Sequence, residues 1–382
     1  STDVLEHLAA GGVQTQDYGE FASALGSLSR SLSHSGGVLL DPARSNAAIY
    51  GGVVDNGACV KPCSPSPLAL AKACKNHDEL AGMRACHVVD GAALVRLFAW
   101  LEEQLQTGVR VEEVDVVEAV ADFRRRSGGA SYLGESFHPI SGSGPNGAIV
   151  HYRANRTAAN HRCLVPEEPF LFDSGGQYLE GTTDVTRTFH FGEPTAHHRQ
   201  MYSRVLQGHI ALDTAQFPVG TPAFVLDAFA RRPLWDCRRD YAHGTGHGVG
   251  AALHVHEGPA AIAQRWDNTQ PLRPGMVVSC EPGYYEPGEA GGFGIRIENL
   301  LVVVDASPVD QEPERCLNVP GVSVPLAATQ APPAGAPFLK FERLTYVPIQ
   351  TNMLLTPPDE SCNESTYRTL LTESERRWLD DY

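Results

Sequence analysis

The chain has 382 residues, of which 42% are hydrophobic, and its 30 basic and 45 acidic residues give a net charge of −15 at pH 7. This length predicts two or more structural units. The acidic balance argues against a nucleic-acid partner or an anionic membrane surface, since both require basic surfaces, and no apolar run is long enough to span a bilayer.

The N-terminus and the cysteines indicate a cytoplasmic protein. The sequence begins at Ser1 without a basic stretch followed by an apolar one, so it predicts no signal peptide. The nine cysteines include no CxxC pair, and in a chain of this length they are typical of buried, reduced thiols.

The N-terminal part of the chain mixes short apolar runs with glycine and serine. Val38–Leu40 is predicted to form a strand, followed by a helical turn after Asp41. Pro62, Pro65 and Pro67 then stand too close together for regular structure, so this stretch is a candidate linker.

Helices dominate the next predicted region. Apolar residues at three- and four-residue steps predict a long helix over residues 78–106. A second helix over 111–127 has acidic residues early and arginines late, as the helix dipole favours. After it, residues 141–154 form a loop that enters a strand, and two further helices are predicted over 196–216 and 223–231.

Residues 169–192 have the run–turn–run form of a β-hairpin, in which Gly175, Gly176 and Gly181 supply the turn. Apolar strands and glycine loops alternate further along the chain, through the run LLVVV at 300–304.

The C-terminal part begins with a Pro/Ala-rich stretch at 308–337, which predicts a surface loop or a poorly ordered insertion. A strand is predicted to follow in FLKFERLTYVPIQ. The last helix is predicted to start at a cap on Thr372, with Glu375 three residues later.

Four carboxylates and one imidazole lie in glycine-rich or strand-like stretches, in the order Asp173, Asp184, His247, Glu281 and Glu298. Such hard donors suit two divalent ions of the Mn²⁺ class better than a structural zinc ion. Without cations the carboxylates would repel one another and take up protons. Two divalent ions would cancel their charge, and a hydroxide bridging the ions would be a nucleophile near neutral pH.

The predicted hairpin can bring Asp173 and Asp184 to one end of a sheet with their side chains directed at one place. Taken singly, Asp173 is also typical of a turn, and Asp184 of a solvated strand face. Glu281 follows an apolar strand. Glu298 has apolar neighbours and is predicted to face an interior, where a metal ion is the best partner for a lone carboxylate. Arg296 shares the strand parity of Glu298 and is a candidate to orient a ligand carboxylate; the alternative is an ordinary internal ion pair.

Four histidines cluster in the glycine-rich region. HGTGHGVG places His243 and His247 four residues apart, and its glycines disfavour a helix and let the backbone pass close to another group. His254 and His256 follow in HVHEG. A single histidine is more often a hydrogen-bonded core residue, but four beside so many glycines favour a site.

Six ordered motifs together resemble those of the pita-bread metallopeptidases, and in particular of their cytosolic Xaa-Pro aminopeptidase branch. They are GPNGAIVHYRA, LFDSGGQYLEGTTDVTRTFHFG, YAHGTGHGVG, VHEGP, EPGYY and GFGIRIENLLVV, and FERLTYVPIQTNML near the C-terminus extends the resemblance. The resemblance implies an α+β protein with a pita-bread catalytic domain over 69–382. Residues 1–68 would be part of a second creatinase-like module. The turn around EPGEAGG is longer than in close relatives, and Cys280 stands where many have an acidic residue.

The resemblance also implies a reaction, the hydrolysis of an N-terminal residue from peptides with proline second, by a hydroxide bridging two divalent ions, usually Mn²⁺. Asp184 and Glu298 would bridge the ions, Asp173 would complete one shell, and His247 and Glu281 the other. Glu281 would also serve as the general base.

For the substrate, the resemblance implies that His151, His243 and His256 hold the peptide and stabilise the tetrahedral intermediate, with Arg296 and Tyr285 beside them. It further implies a homodimer.

Three other functions share this fold. A prolidase has the same ligand set but cleaves dipeptides, and the C-terminal TYVPIQTNML favours the aminopeptidase. Creatinase works without metal and lacks the acidic set. A non-catalytic pita-bread interaction module would have lost ligands that this chain retains.

Overall fold

The computed structural model of the chain describes residues 2–33, 37–306, 337–355 and 371–382. These residues fold into two compact units, Ser1–Ala71 and Lys72–Tyr382. The Pro/Ala-rich stretch predicted at 308–337 lies outside the described residues, apart from its last position.

The smaller unit combines three helices with one pair of parallel strands. The predicted strand Val38–Leu40 is confirmed and pairs in parallel with Val60–Pro62. The elements of this unit in chain order are α1 (Thr2–Ala10), α2 (Phe21–Leu32), β1 (Val38–Leu40), α3 (Ala47–Val54) and β2 (Val60–Pro62).

The lack of regular structure predicted around these prolines is wrong, because two of the three prolines occupy positions that regular structure tolerates. Pro62 ends β2, and Pro67 opens the helix α4 (Pro67–Ala73). A proline at the first position of a helix loses no intrahelical hydrogen bond, and its fixed φ already suits the helix.

Two long helices, α5 (His77–Gln106) and α6 (Glu113–Gly128), confirm the predictions for this region. α5 starts at a capping box in which Asn76 and Glu79 each accept from the other's backbone N–H. Side chains of both helices share one buried cluster with strand residues from 170–172, among them Leu97, Leu101, Val116, Val120, Phe170 and Phe172.

The predicted hairpin is confirmed, with a short strand between its arms. Asp173 lies opposite Thr186, and Ser174 opposite Val185. The strands of this region are β3 (Tyr132–Glu135), β4 (Ile140–Ser143), β5 (Phe170–Ser174), β6 (Gly176–Tyr178) and β7 (Val185–Phe189). β4, β5 and β7 form an antiparallel sheet, and β6 pairs with β3.

The strand expected at the end of 141–154 is wrong. The strand β4 comes first, and Gly144–Ala148 then forms a 3₁₀ turn. The reason is a buried polar cluster in which Asn146 and Tyr152 both donate to the carboxylate of Glu113, which holds this segment compact rather than extended.

The remaining helices are α7 (Ala196–Asp213), α8 (Ala223–Trp235) and α9 (Glu373–Asp380). α7 ends at Asp213, before the predicted end at residue 216, whereas α8 continues to Trp235, beyond the predicted end at residue 231. The predicted cap of the last helix is confirmed, since Thr372 and Glu375 form a capping box.

The second half of the larger unit contains three sheets. Their strands are β8 (Gln216–Pro218), β9 (Gly246–His247), β10 (Ala261–Ile262), β11 (Val277–Cys280), β12 (Gly283–Glu286), β13 (Phe293–Arg296), β14 (Asn299–Asp305) and β15 (Phe338–Arg343). A four-stranded antiparallel sheet has the order β11–β14–β15–β8, and β9/β10 and β12/β13 form two pairs.

Membrane spans and disulfides were also predicted to be absent. Among the described residues, no helix combines the length and apolarity that crossing a membrane requires.

The seven described cysteines are unpaired, but only Cys86 and Cys280 are buried, so the predicted burial of the thiols is largely wrong.

A buried ion pair connects the two long helices with the hairpin. The guanidinium of Arg124 is completely buried and contacts Asp90 at 2.7 Å. It also donates to the Gly175 carbonyl at 3.1 Å and to the Ser174 hydroxyl at 3.0 Å. The pair therefore fixes the backbone directly after Asp173.

We expect Arg124→Met to lower the free energy of unfolding by roughly 3–5 kcal/mol, because it leaves the buried Asp90 carboxylate without its cation. Urea unfolding followed by circular dichroism measures this. The matched control is Arg125→Met at the exposed neighbouring position, which should change stability by less than about 0.5 kcal/mol. Equal urea midpoints for the two variants would contradict this role of the ion pair.

Candidate metal centre

All five predicted metal ligands line one cavity of about 610 Å³ in the larger unit. His151, His243, His256 and Arg296 line the same cavity. Tyr285 lies behind this wall and reaches the site through hydrogen bonds. Exposed His254 is not among the lining residues, so the predicted cluster of four histidines contributes three members.

The hairpin places both aspartates on one face of its sheet. Asp173 on β5 lies directly opposite Thr186 on β7, and Asp184 stands two residues before Thr186. Side chains two apart in a strand share a face, and directly opposed residues do so as well. Both carboxylates are buried, at 7% and 4% exposure.

Glycines bring His247 into the site, as predicted. A Cβ atom added at Gly246 would lie 2.0 Å from the Ser279 carbonyl oxygen, so only glycine lets these segments approach. His247 donates from Nδ1 to the Gly248 carbonyl at 3.0 Å. This directs Nε2 at the carboxylates, 3.5 Å from Asp184 Oδ2 and 3.4 Å from Glu281 Oε1.

The predicted interior position of Glu298 is confirmed, since it is 1% exposed. Ile295 and Ile297 pack into the core, so the intervening Arg296 and the following Glu298 face the cavity. One Glu298 oxygen accepts from the Thr186 hydroxyl at 2.7 Å, and the other, Oε1, is buried and finds no hydrogen-bond partner within the described ranges.

Three of the five candidates already form a cluster. One ligand atom from each of Asp184, His247 and Glu298 lies within 4.8 Å of the others. Glu281 adjoins this cluster through His247.

Arg296 holds Asp173 in place. Its guanidinium lies 2.6 Å from Asp173 Oδ2, and its Nε donates to the Thr186 hydroxyl at 3.1 Å. Asp173 Oδ1 is buried and has no hydrogen-bond partner in the part of the chain that the structure describes. The contact agrees with the prediction that Arg296 orients a ligand carboxylate. Thr186, which contacts both Arg296 and Glu298, was not predicted as a site residue. It stands two residues after Asp184, and this spacing in a strand would have placed it on the same face.

Tyr285 connects Arg296 with His243. Its hydroxyl accepts from Arg296 at 2.7 Å and lies 2.9 Å from His243 Nε2. Because His243 Nδ1 donates to the Gly244 carbonyl at 2.8 Å, the neutral ring must accept from Tyr285 at Nε2. His256 packs edge-on against His247, with ring centroids 4.1 Å apart.

Electrostatics at the site indicate a missing positive charge. Burial raises the pKa of Asp184, Glu281 and Glu298, and repulsion from neighbouring carboxylates, with Asp173 among them in each case, adds to the effect. Burial opposes protonation of His247, yet Asp184 and Glu281 raise its pKa to about 9. Burial lowers the pKa of His243 and His256 to about 4, so both are neutral near pH 7.

These residues fit divalent cations. The donors are four carboxylates and one imidazole, which is a hard set. Two carboxylate oxygens, Asp173 Oδ1 and Glu298 Oε1, are buried without any hydrogen-bond partner among the described residues, and such orphaned acceptors are rare unless an ion satisfies them. Cations would also remove the repulsion that raises the carboxylate pKa values.

Known proteins resemble this chain in sequence and in fold. Aminopeptidase P2 of Arabidopsis thaliana is 42% identical over 100% of this chain and 51% of its own length. The X-prolyl aminopeptidase of Caenorhabditis elegans, described as a cytosolic enzyme with a di-nuclear active site, is 33% identical with a TM-score of 0.81, over 100% of this chain and 55% of that one. A prolidase from Thermococcus sibiricus is 25% identical with a TM-score of 0.62, over 88% of this chain and 76% of that one.

The chain thus spans about half the length of the aminopeptidases that it matches. The predicted α+β pita-bread architecture is confirmed by these similarities. The model of metallopeptidase family M24 matches residues 81–305, which is more than half of the chain and includes all five candidate ligands. The chain belongs to metallopeptidase family M24.

Proposed function

We propose that this chain is the catalytic part of a metal-dependent aminopeptidase that hydrolyses the bond between an N-terminal residue and a following proline. The observation that carries the proposal is the convergence of five hard donors on one cavity, two of them with an orphaned buried oxygen. The names of the similar aminopeptidases support the substrate class.

The proposed ligands of two divalent ions are Asp173, Asp184, His247, Glu281 and Glu298, with Asp184 and Glu298 shared between the ions. We propose Mn²⁺, because carboxylates and one imidazole suit it. When bound, the ions supply Lewis-acid activation of water and of the scissile carbonyl group.

Glu281 is the proposed general base. Its Oε1 accepts from the Ser279 hydroxyl at 3.1 Å, which fixes the direction of the carboxylate. Burial raises its pKa, and a carboxylate with a raised pKa takes a proton from water more readily near neutral pH.

The histidines take different proposed roles. His256 and His151 line the cavity, are exposed and make no hydrogen bond to another described residue, so their rings are available to substrate oxygens. His243 has both ring nitrogens engaged, by Gly244 and Tyr285. It therefore acts on the substrate through, or in exchange with, the Tyr285 hydroxyl.

A proline-specific site is chemically reasonable, because a bond to proline nitrogen has no N–H for an enzyme to hold. The prolidase alternative has weaker support, since the prolidase from Thermococcus sibiricus is the more distant of the two solved structures compared. The retained acidic set argues against the metal-free and non-catalytic alternatives.

Three further predictions remain proposals. A cytoplasmic location has support from the cytosolic description of the Caenorhabditis elegans enzyme. The creatinase-like origin of residues 1–68 has support from a separate compact unit at Ser1–Ala71. The homodimer rests on the sequence resemblance alone.

We expect Asp184→Ala to abolish binding of divalent ions and to lower kcat/KM for Ala-Pro-Ala by about a thousandfold or more, because Asp184 lies in the ligand cluster. Metal analysis after dialysis and a hydrolysis assay measure both effects. Asp305→Ala, at the end of β14, is the control and should leave both unchanged. Full activity of Asp184→Ala would overturn the site, and faster hydrolysis of Ala-Pro than of Ala-Pro-Ala would favour the prolidase.

We expect His243→Ala and Tyr285→Phe each to lower kcat by about tenfold to a hundredfold while both ions stay bound. Because the two side chains share a hydrogen bond, the double variant should lose much less than the product of the two single effects. Steady-state kinetics together with metal analysis tests this. Loss of an ion in His243→Ala would mean that His243 is a ligand.

The metal-free protein should lose stability as pH rises. The folded-state pKa of His247 is about 9, above its ordinary 6.5, so its contact with Asp184 stabilises the fold below pH 6.5 and is lost as pH rises through about 9. His243 and His256 are neutral in the folded state over this range, and in the unfolded state they lose their protons near its lower end. We expect the Tm of EDTA-treated protein to fall between about pH 6.5 and 9, and to fall less in His247→Gln. An equal fall of Tm with pH in the unchanged protein and in His247→Gln would contradict this prediction.

A further inference from the structure

A buried ion pair that contributes no side chain to the cavity lies next to the candidate metal centre. Lys75, two residues before α5, places its Nζ 2.9 Å from Glu257 Oε1, and the two side chains are 2% and 7% exposed. The same ammonium group donates to the Ala73 carbonyl at 3.1 Å. Glu257 directly follows His256, which lines the cavity. The pair is therefore one residue away from a proposed substrate contact.

Lys75 is fixed on a rigid part of the larger unit. Its backbone N–H donates to the Gly275 carbonyl at 2.9 Å, and the Gly275 N–H donates to the Val303 carbonyl on β14 at 2.9 Å. Gly275 has a φ of +83°, and a Cβ atom there would lie 2.8 Å from the Lys75 carbonyl oxygen, so this approach requires glycine. Two residues later β11 begins, the strand before Glu281. The lysine is thus held at the turn that starts a ligand strand.

Glu257 connects the segments of two site histidines. Its backbone N–H donates at 2.7 Å to the Gly248 carbonyl, which also accepts from His247 Nδ1 at 3.0 Å. A Cβ atom added at Gly248 would lie 2.0 Å from the Glu257 carbonyl oxygen, so the two backbones are in direct contact. The rings of His247 and His256 pack edge-on, with centroids 4.1 Å apart. The backbone position of Glu257 therefore sets where the His256 ring stands beside His247.

His256 depends on this support because its own side chain has few contacts. The ring is exposed and makes no hydrogen bond within the described ranges, and residues 252–254 before it are exposed as well. In the sequence from 248 to 260, Glu257 is the only acidic residue, and there is no lysine or arginine. The ion pair of Glu257 is therefore the ionic anchor of this loop.

The second oxygen of the same carboxylate provides an internal comparison. Lys72 Nζ lies 3.2 Å from Glu257 Oε2, but the Lys72 side chain is 56% exposed. An exposed ion pair contributes little because water and salt screen it, whereas removal of one partner from a buried pair leaves an uncompensated charge. Lys75 should therefore fix the direction of the Glu257 side chain far more strongly than Lys72 does.

We propose that Lys75 and Glu257 form a positioning pair that holds the backbone of His256, so that its ring stays directed into the cavity beside the metal ligands. This inference rests on the proposed function, because it takes His256 as a substrate contact. Neither member of the pair touches the substrate, and both act through His256. A displacement of about 1 Å in a group that contacts the transition state can lower the rate by up to about a hundredfold.

We expect Lys75→Met to lower kcat for Ala-Pro-Ala by about tenfold and to change KM by less than about twofold, because His256 would act on the intermediate. Both ions should stay bound, since the His247 backbone N–H keeps its bond to the Ser279 hydroxyl at 2.9 Å. Lys72→Met is the matched control and should change kcat by less than about twofold. Steady-state kinetics and metal analysis of the metal-loaded full chain measure these effects.

Two combined variants separate positioning from stability. Lys75→Met added to His256→Ala should cause little further loss of kcat, since both changes act through one ring. A pair that only stabilised the fold would lower kcat equally in both backgrounds. Lys75→Met with Glu257→Met removes both charges, so its Tm should recover while kcat stays low. This double variant also keeps the test valid if Lys75→Met alone does not fold.

Hydrogen exchange at the backbone amide of Glu257 reports the position of the loop without turnover. Mass spectrometry of the peptide that contains this amide should show exchange about tenfold faster or more in Lys75→Met, and unchanged exchange in Lys72→Met.

Unchanged kcat and unchanged exchange in Lys75→Met would overturn the positioning pair. Loss of an ion, an equal loss of kcat in the His256→Ala background, or recovery of kcat together with Tm in the double methionine variant would overturn it as well. If the unchanged protein hydrolyses no peptide but exchange at Glu257 still depends on Lys75, the pair stands and the proposed function fails. If neither is found, both fail.

Discussion

Repulsion among four carboxylates in one buried cavity is the constraint on which the site depends. Asp184, Glu281 and Glu298 have raised pKa values chiefly because burial disfavours their charge, and repulsion from Asp173 adds to the effect on each of them. A folded chain tolerates such a group only if protons or cations neutralise it. His247 partly does so, since its Nε2 lies within 3.5 Å of both Asp184 and Glu281. Divalent ions would neutralise the carboxylates fully, and the orphaned oxygens of Asp173 and Glu298 are available as ligand atoms.

The carboxylates keep their places because a chain of hydrogen bonds runs behind them. Thr186 donates to Glu298 and accepts from Arg296, Arg296 contacts Asp173, and Tyr285 continues the chain to His243. Thr186 and Tyr285 each have their hydroxyl group engaged on both sides, so the network fixes the orientation of the ligands before any ion arrives. A fixed outer layer of this kind limits the freedom of the metal ligands and tunes their charge. The same connection makes Asp173, on the hairpin, and His243, in the glycine-rich loop, parts of one unit.

A second buried arginine ties the C-terminal segment to the ligand strands. Arg187 is 1% exposed and donates to the carbonyl groups of Thr186, Glu298 and Val347 and to the Tyr382 hydroxyl. No carboxylate of the described chain pairs with it. Its charge is instead spread over several buried carbonyl dipoles. Arg187 thereby fixes the backbone of both Thr186 and Glu298 through their carbonyl groups, while their side chains form a hydrogen bond with each other at the site.

The sequence alone determined the features that depend on local spacing. Apolar periodicity located α5 and α6, the glycines and flanking runs located the hairpin of Asp173 and Asp184, and the apolar neighbours of Glu298 gave its burial. These features follow from the geometry of one helix or one strand pair, which the nearby residues set. The tertiary structure decided the rest. Asp173 and Arg296 are 123 positions apart, and only the packing of separate sheets brings them within 2.6 Å. For the same reason spacing did not reveal the compact turn at Gly144–Ala148, because this turn depends on Glu113, which is distant in the chain.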